Sequence, residues 1–153
     1  KPDDVQARSY FAGHLMKAGQ NKSATEQYEV VLRKMPSDGA ALNNLASLYQ
    51  IVKDPRALNV AEKAYQILPN NLAVQDTYGW ILVENGQTAK GTAVLEKAAS
   101  AAKGNMTIQY HYADGLARSG NKEKAKDVLQ TVLASKVAFA EQADARRLLD
   151  GLK

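Results

Sequence analysis

The 153-residue sequence contains no cysteine, which excludes disulfides, iron–sulfur clusters, thiolate zinc sites and cysteine nucleophiles while leaving the compartment open. Glycine and proline are sparse, at ten and four residues. With 45% hydrophobic and 24% charged residues, the chain falls outside the disordered, collagenous and low-complexity classes. No apolar run approaches the roughly 20 residues that cross a bilayer, so no direct membrane contact is expected. The start, Lys1-Pro2-Asp3-Asp4, carries neither an initiator methionine nor a signal-peptide pattern and reads as an excised fragment. Phosphate-binding glycine motifs are missing. A block of one charge sign is missing too: the net charge of +4 is spread along the chain, and the densest basic stretch, Lys122, Lys124 and Lys126, is broken by Glu123 and followed by Asp127. That is the pattern of a solvated helix face and argues against a nucleic-acid track.

What the sequence does have is a period. Ala24, Ala57, Gly91 and Ala125 are small residues spaced 33, 34 and 34 apart, and the same intervals carry Tyr28, Ala61, Leu95 and Leu129, then Val31, Ala64, Ala98 and Val132. Offsets of four and seven put each set on one helical face. An upstream series, Phe11-Ala12, Leu45-Ala46, Tyr78-Gly79 and Tyr112-Ala113, is followed by Leu15, Tyr49, Leu82 and Leu116, with spacings of 34, 33 and 34. The one missing residue falls between Tyr49 and Ala57, in a turn, where deletions are tolerated best. Gly19, Gly86 and Gly120 end the first helix of their units. The second unit lacks this glycine, and Asp54-Pro55 there predicts an N-cap followed by proline at the first helical position. Pro36 and Pro69 close the second helices of the first two units. Nine helices are predicted, at about 4–18, 22–35, 39–51, 55–68, 72–85, 88–102, 106–118, 122–135 and 139–151, with no strand.

This pattern resembles the tetratricopeptide (TPR) repeat family, most closely at Tyr78-Gly79 with Leu82 and at Ala24, Tyr28 and Pro36. The resemblance implies an all-α superhelix of antiparallel helix pairs: one domain over 1–153, with repeats at about 5–38, 39–71, 72–105 and 106–139 and a capping helix at about 140–152. More narrowly, the phrases Asn43 to Tyr49, Asp54 to Leu58, Ala61 to Tyr65 and Tyr78 to Val83 resemble the C-terminal repeats of TPR lipoproteins of bacterial PEP-CTERM exopolysaccharide systems. That implies a periplasmic or envelope-associated protein whose lipid anchor lies outside this sequence.

Family geometry lines a concave wall with the first helix of each unit. Projection of the register places Tyr10, with Gln6, Ser9, Gly13 and Lys17, on it from the first unit, and Asn43, Asn44, Ser47 and Gln50 from the second. The third contributes Asp76, Thr77, Trp80 and Glu84, and the fourth Tyr110, His111, Asp114 and Arg118. Amides, aromatics and charges of both signs suit an extended peptide or partner helix better than one small substrate. Trp80 fits either a groove or the packing between helices. Of the clamp with which some TPR domains hold an acidic chaperone tail, only Asn44 has a match; Ser9, Gly13, Ala73 and Thr77 fill the other places, so such capture is not expected.

His111 and Asp114, three apart on one face, are the only pair suggesting acid–base or metal chemistry. Without a nucleophile, or a third ligand nearer than Asp76, they read as a surface pair. The expectation is a non-catalytic scaffold with no cofactor or metal, monomeric or weakly self-associating, which binds a protein or peptide; the alternative is a structural spacer or self-associating array without a ligand of its own.

Overall fold

A computed structural model describes residues 4–152 of the chain; the Lys1–Asp3 start lies outside them. The described residues form α1 (Val5–Lys17), α2 (Asn21–Lys34), α3 (Gly39–Ile51), α4 (Ala57–Ile67), α5 (Leu72–Glu84), α6 (Thr88–Ala101), α7 (Met106–Arg118), α8 (Lys122–Ala134) and α9 (Gln142–Gly151), with no strand among them. The chain groups into two compact units, 1–81 and 82–153, which divide within α5. In the first, α1 pairs with α2, α3 with α4, and α2 packs on α3; in the second, α7 pairs with α8, α6 packs on α7, and α9 on α8.

Each unit is built around the small residues of the repeat. Ala12, Ala24, Ala46 and Ala57 in the first unit and Ala113 and Ala125 in the second are at most 3% exposed, and Gly79 and Gly91 are buried. Helix axes approach closely only where side chains are this short. Around these contacts the first unit buries Tyr28, Val31, Leu48 and Ile81, and the second Leu95, Leu129 and Val132. Each such side chain is worth about 1.5–3 kcal/mol when taken out of water.

The turns inside the helix pairs share one geometry. Gln20 N–H donates to Leu15 C=O at 2.9 Å and Gly19 N–H to Met16 C=O at 3.0 Å, with Gly19 at φ +72°. This pair of bonds satisfies carbonyls that the last turn of a helix leaves open. In the second pair the same bonds form from Asp54 to Tyr49 (2.8 Å) and Lys53 to Gln50 (3.1 Å), and Lys53 itself takes φ +55°. The expected N-cap at Asp54 is corrected here. Asp54 Oδ1 accepts from Arg56 N–H at 2.9 Å, its carboxylate binds the Arg56 guanidinium, and α4 begins only at Ala57. The side chain that would cap the helix instead ties the turn.

A cap series that the sequence reading overlooked opens the first helices. Oδ1 of Asp4, Asp38, Asn71 and Asn105 accepts from the backbone N–H three residues on, at 3.0–3.2 Å. These positions are 34, 33 and 34 apart and short polar acceptors at each were legible in the sequence. At the far end, α9 starts at Gln142 rather than 139. Phe139 ahead of it packs on the core of the fourth pair, which prolongs the irregular connection.

Candidate functional site

In the first unit α1 and α3 flank an open cleft of about 460 Å³. Tyr10 stands over it 76% exposed, and Lys17, His14 and Asp38 bring charge or polarity to its walls. Gly13 lies on its floor, where a Cβ would meet the Tyr28 hydroxyl at an ordinary contact distance of 3.5 Å. That hydroxyl accepts from Asn44 Nδ2 at 2.8 Å. The bond holds the amide of Asn44, which lines the cleft. Burial raises the Tyr28 phenol above its ordinary pKa, so it stays neutral through the physiological range.

The remaining projected residues of this unit are placed differently from one another. Ser47 Oγ lies 3.2 Å from Asn43 C=O and 3.4 Å from Thr77 Oγ1, so Ser47 and Thr77 form a polar seam from α3 to α5. Asn43 is half-buried with its Oδ1 fully covered and unpartnered. Asp76 and Trp80 are half-buried, which puts Trp80 between the two roles considered for it.

In the second unit two of the projected residues, Tyr110 and Asp114, turn inward. Tyr110 is only 9% exposed and packs with Ala113, Leu129 and Ala145 under α9. Burial, followed by the nearby Asp114 charge, pushes its pKa up to about 12. Asp114 is 6% exposed, and both its oxygens are taken by Arg118, Oδ1 from Nε and Oδ2 from Nη2, each at 3.0 Å. Arg118 also reaches Glu84 at 2.8 Å. The His111–Asp114 pair therefore lacks the free carboxylate that acid–base work needs; His111 is half-buried, its ring tilted against Tyr110 at 5.7 Å. Among the described residues no group of three or more His, Asp or Glu side chains is disposed to hold a metal, and no helix is long and apolar enough to cross a membrane.

Sequence reasoning missed the charged clasps at the joints between pairs. Tyr49 Oη donates to Glu29 at 2.6 Å, and Arg56 lies 3.4 Å from the same carboxylate and 4.2 Å from the Tyr49 ring centroid. In the second unit Tyr112 Oη donates to Glu96 at 2.7 Å, and Lys124 binds Glu96 at 2.9 Å and sits 5.4 Å from the Tyr112 ring centroid. Tyr78 reaches Glu62 at 3.2 Å. The hydrogen bond from Lys124, then that from Tyr112, holds Glu96 below the usual carboxylate range. Burial and the Glu29 bond push Tyr49 up to about 12. The recurring Glu29, Glu62 and Glu96, 33 and 34 apart, were the available signal.

Antiparallel helix pairs recurring every 33–34 residues, with α9 packed on α8 in the second unit, define a helical-repeat fold of the tetratricopeptide type. Residues 82–149 match the tetratricopeptide repeat family model, and no curated protein matches the sequence. Among solved structures, MamA residues 41 to the end from Desulfovibrio magneticus RS-1 superposes with a TM-score of 0.79 at 18% identity, over 98% of this chain and 84% of that one. PilW, a widely conserved type IV pilus biogenesis factor, gives 0.78 at 22% identity over 97% and 71%. YrrB, a TPR protein with an unusual peptide-binding site, gives 0.76 at 19% identity over 99% and 77%. The fold is thus all-α and of the TPR kind.

Proposed function

We propose that this chain is a non-catalytic interaction module that holds an extended peptide or partner helix against the first helices of its N-terminal unit. The observation that carries the reading is the cleft of about 460 Å³ under Tyr10, with the Asn44 amide oriented by Tyr28. An exposed aromatic over an open floor offers contact area at low entropy cost, and a fixed amide can hydrogen-bond a peptide backbone. The description of YrrB as peptide-binding supports the class of ligand. Placement in an envelope exopolysaccharide or protein-export assembly rests on the sequence phrases of residues 43–83 alone, and no matched protein supports the lipoprotein group. In the test, partners captured from cell extract are titrated against the wild type and against Tyr10→Ala and Asn44→Ala. Binding weakened about tenfold, with the helical signal intact, supports the cleft; full affinity in both variants rejects it.

A second reading, a spacer within a longer stack of helices or a self-associating array, is favoured by Phe11. It is 54% exposed, whereas Leu45, Tyr78 and Tyr112 at the same repeat position are at most 6% exposed. Sedimentation across a concentration series, with Phe11→Ser as control, separates self-association from binding at the cleft.

A further inference from the structure

The cleft under Tyr10 carries opposite charges at its two ends. They belong to Asp38 and Lys17, with the His14 imidazole three residues before the lysine on α1. Short turns reverse the chain between α1 and α2 and again between α2 and α3, so α1 and α3 run the same way. Asp38, the N-cap of α3, therefore lies beside the start of α1, whereas Lys17 is the last residue of that helix. At a rise of about 1.5 Å per residue, the length of α1 sets the two charges about 18 Å apart. Neither side chain forms an ion pair with another described residue. Asp38 uses Oδ1 for the capping bond from Ala41 N–H at 3.0 Å.

We propose that the partner of this cleft is an extended protein segment with an acidic and a basic side chain about five residues apart, the acid against Lys17 and the base against Asp38. This rests on the reading of the cleft as a peptide groove and adds what the peptide must carry. The spacing follows from the span: an extended chain covers about 3.3–3.6 Å per residue, so five steps match the distance between the charges. Extension follows from the volume. About 460 Å³ spread over that length leaves a channel narrower than an α-helix with its side chains, which is about 10–12 Å across. A segment with like charges at both ends gains one contact and meets repulsion at the other, so the cleft discriminates against it. The charges set which ends carry acid and base, and leave the chain direction free. Tyr10, exposed between them, covers the middle of the segment whatever its sequence.

The test titrates the whole chain with capped hexapeptides and follows the Gly13 amide resonance. The matched probes are acetyl-Glu-Ser-Val-Thr-Ser-Lys-amide and the same peptide with its end residues exchanged; the controls carry Gln, Lys or Glu at both ends. Exposed ion pairs are each worth about threefold in affinity, so the better matched peptide is expected to bind about tenfold tighter than the Gln control. Raising the salt to about 1 M, where the screening length falls to about 3 Å, removes most of that difference. Asp38→Asn, which keeps a capping side chain on α3, cuts the advantage to about threefold. Lys17→Glu shifts the preference to the doubly basic peptide. Tyr10→Ala weakens all the peptides alike and reports on the groove itself. If matched and Gln peptides bind equally while Tyr10→Ala still weakens both, the groove stands and the charge pairing is overturned. A preference that survives Asp38→Asn, Lys17→Glu and high salt overturns it as well. Saturable movement with none of the peptides, or binding indifferent to Tyr10→Ala, overturns the groove and the pairing together.

Discussion

Helices α1 and α7 are 13 residues each and carry an aromatic at the same repeat position, Phe11 in one and Tyr112 in the other. Phe11 is 54% exposed and Tyr112 only 6%. The residues are of similar size and both are apolar over most of their surface; what differs is the neighbour. Tyr112 has α6 beside it, with Glu96 for its hydroxyl and Lys124 from α8 over its ring, whereas Phe11 belongs to the first described helix. A repeat position thus specifies a joint, and the surrounding pairs decide whether the joint is made. The same lesson holds for Tyr10 and His111, which also share a repeat position, the one largely exposed over a cleft and the other half-buried.

The comparison breaks most directly at its buried member. Tyr112→Ala is expected to cost about 3–5 kcal/mol by urea denaturation, the range for large aromatic truncations in a core. Phe11→Ala should cost below about 1 kcal/mol, because little of its surface leaves water on folding; equal losses would mean that the two joints are equivalent after all. Next in size, Ala46→Leu forces a leucine into a contact with no exposed surface, and a loss of about 1–3 kcal/mol is expected by the same measurement. A smaller effect of opposite sign should follow from Lys53→Gly. It relieves a left-handed conformation in the one helix-pair turn without glycine, and a gain of up to about 1 kcal/mol in midpoint stability is expected.

The smallest effects sharpen the comparison through pH. Because the folded state holds the Glu96 carboxyl below its unfolded value near 4.5, its contribution is present above that pH and is lost as the pH falls through the lower, folded-state value. Glu96→Gln should therefore flatten the acid limb of a stability–pH curve. Tyr49 has the opposite sign. Its phenol rises from 10.0 to about 12 on folding, so stability present below pH 10 drains away as the pH climbs toward 12, and Tyr49→Phe should soften that alkaline limb. No counterpart of either change is expected at Phe11, which bears no titrating group.

Much of this arrangement could be read from the sequence because packing repeats while solvation does not. The 33–34 residue interval located every helix to within a few residues, and the small residues it marked are all interior. The single-residue deletion was visible as a shortened interval, but not its remedy, since a lysine in the left-handed region leaves no signature in composition. Projection onto a wheel assigned Tyr110 and Asp114 to an open wall; it carries no knowledge of α9 above them or of a guanidinium one turn away. Where a neighbour is itself part of the repeat, sequence reasoning succeeds. It fails where the neighbour is the closing helix or an ion-pair partner, as at Tyr110 and Asp114.

The clasps at Glu29 and Glu96 have a direction. The acid always sits on the earlier hairpin, and the phenol and the cation that grip it always come from the later one. Such a junction is not self-complementary: like faces brought together would oppose carboxylate to carboxylate or cation to cation. Within each unit the contact therefore runs head to tail, and it gives the pair of hairpins it joins a direction.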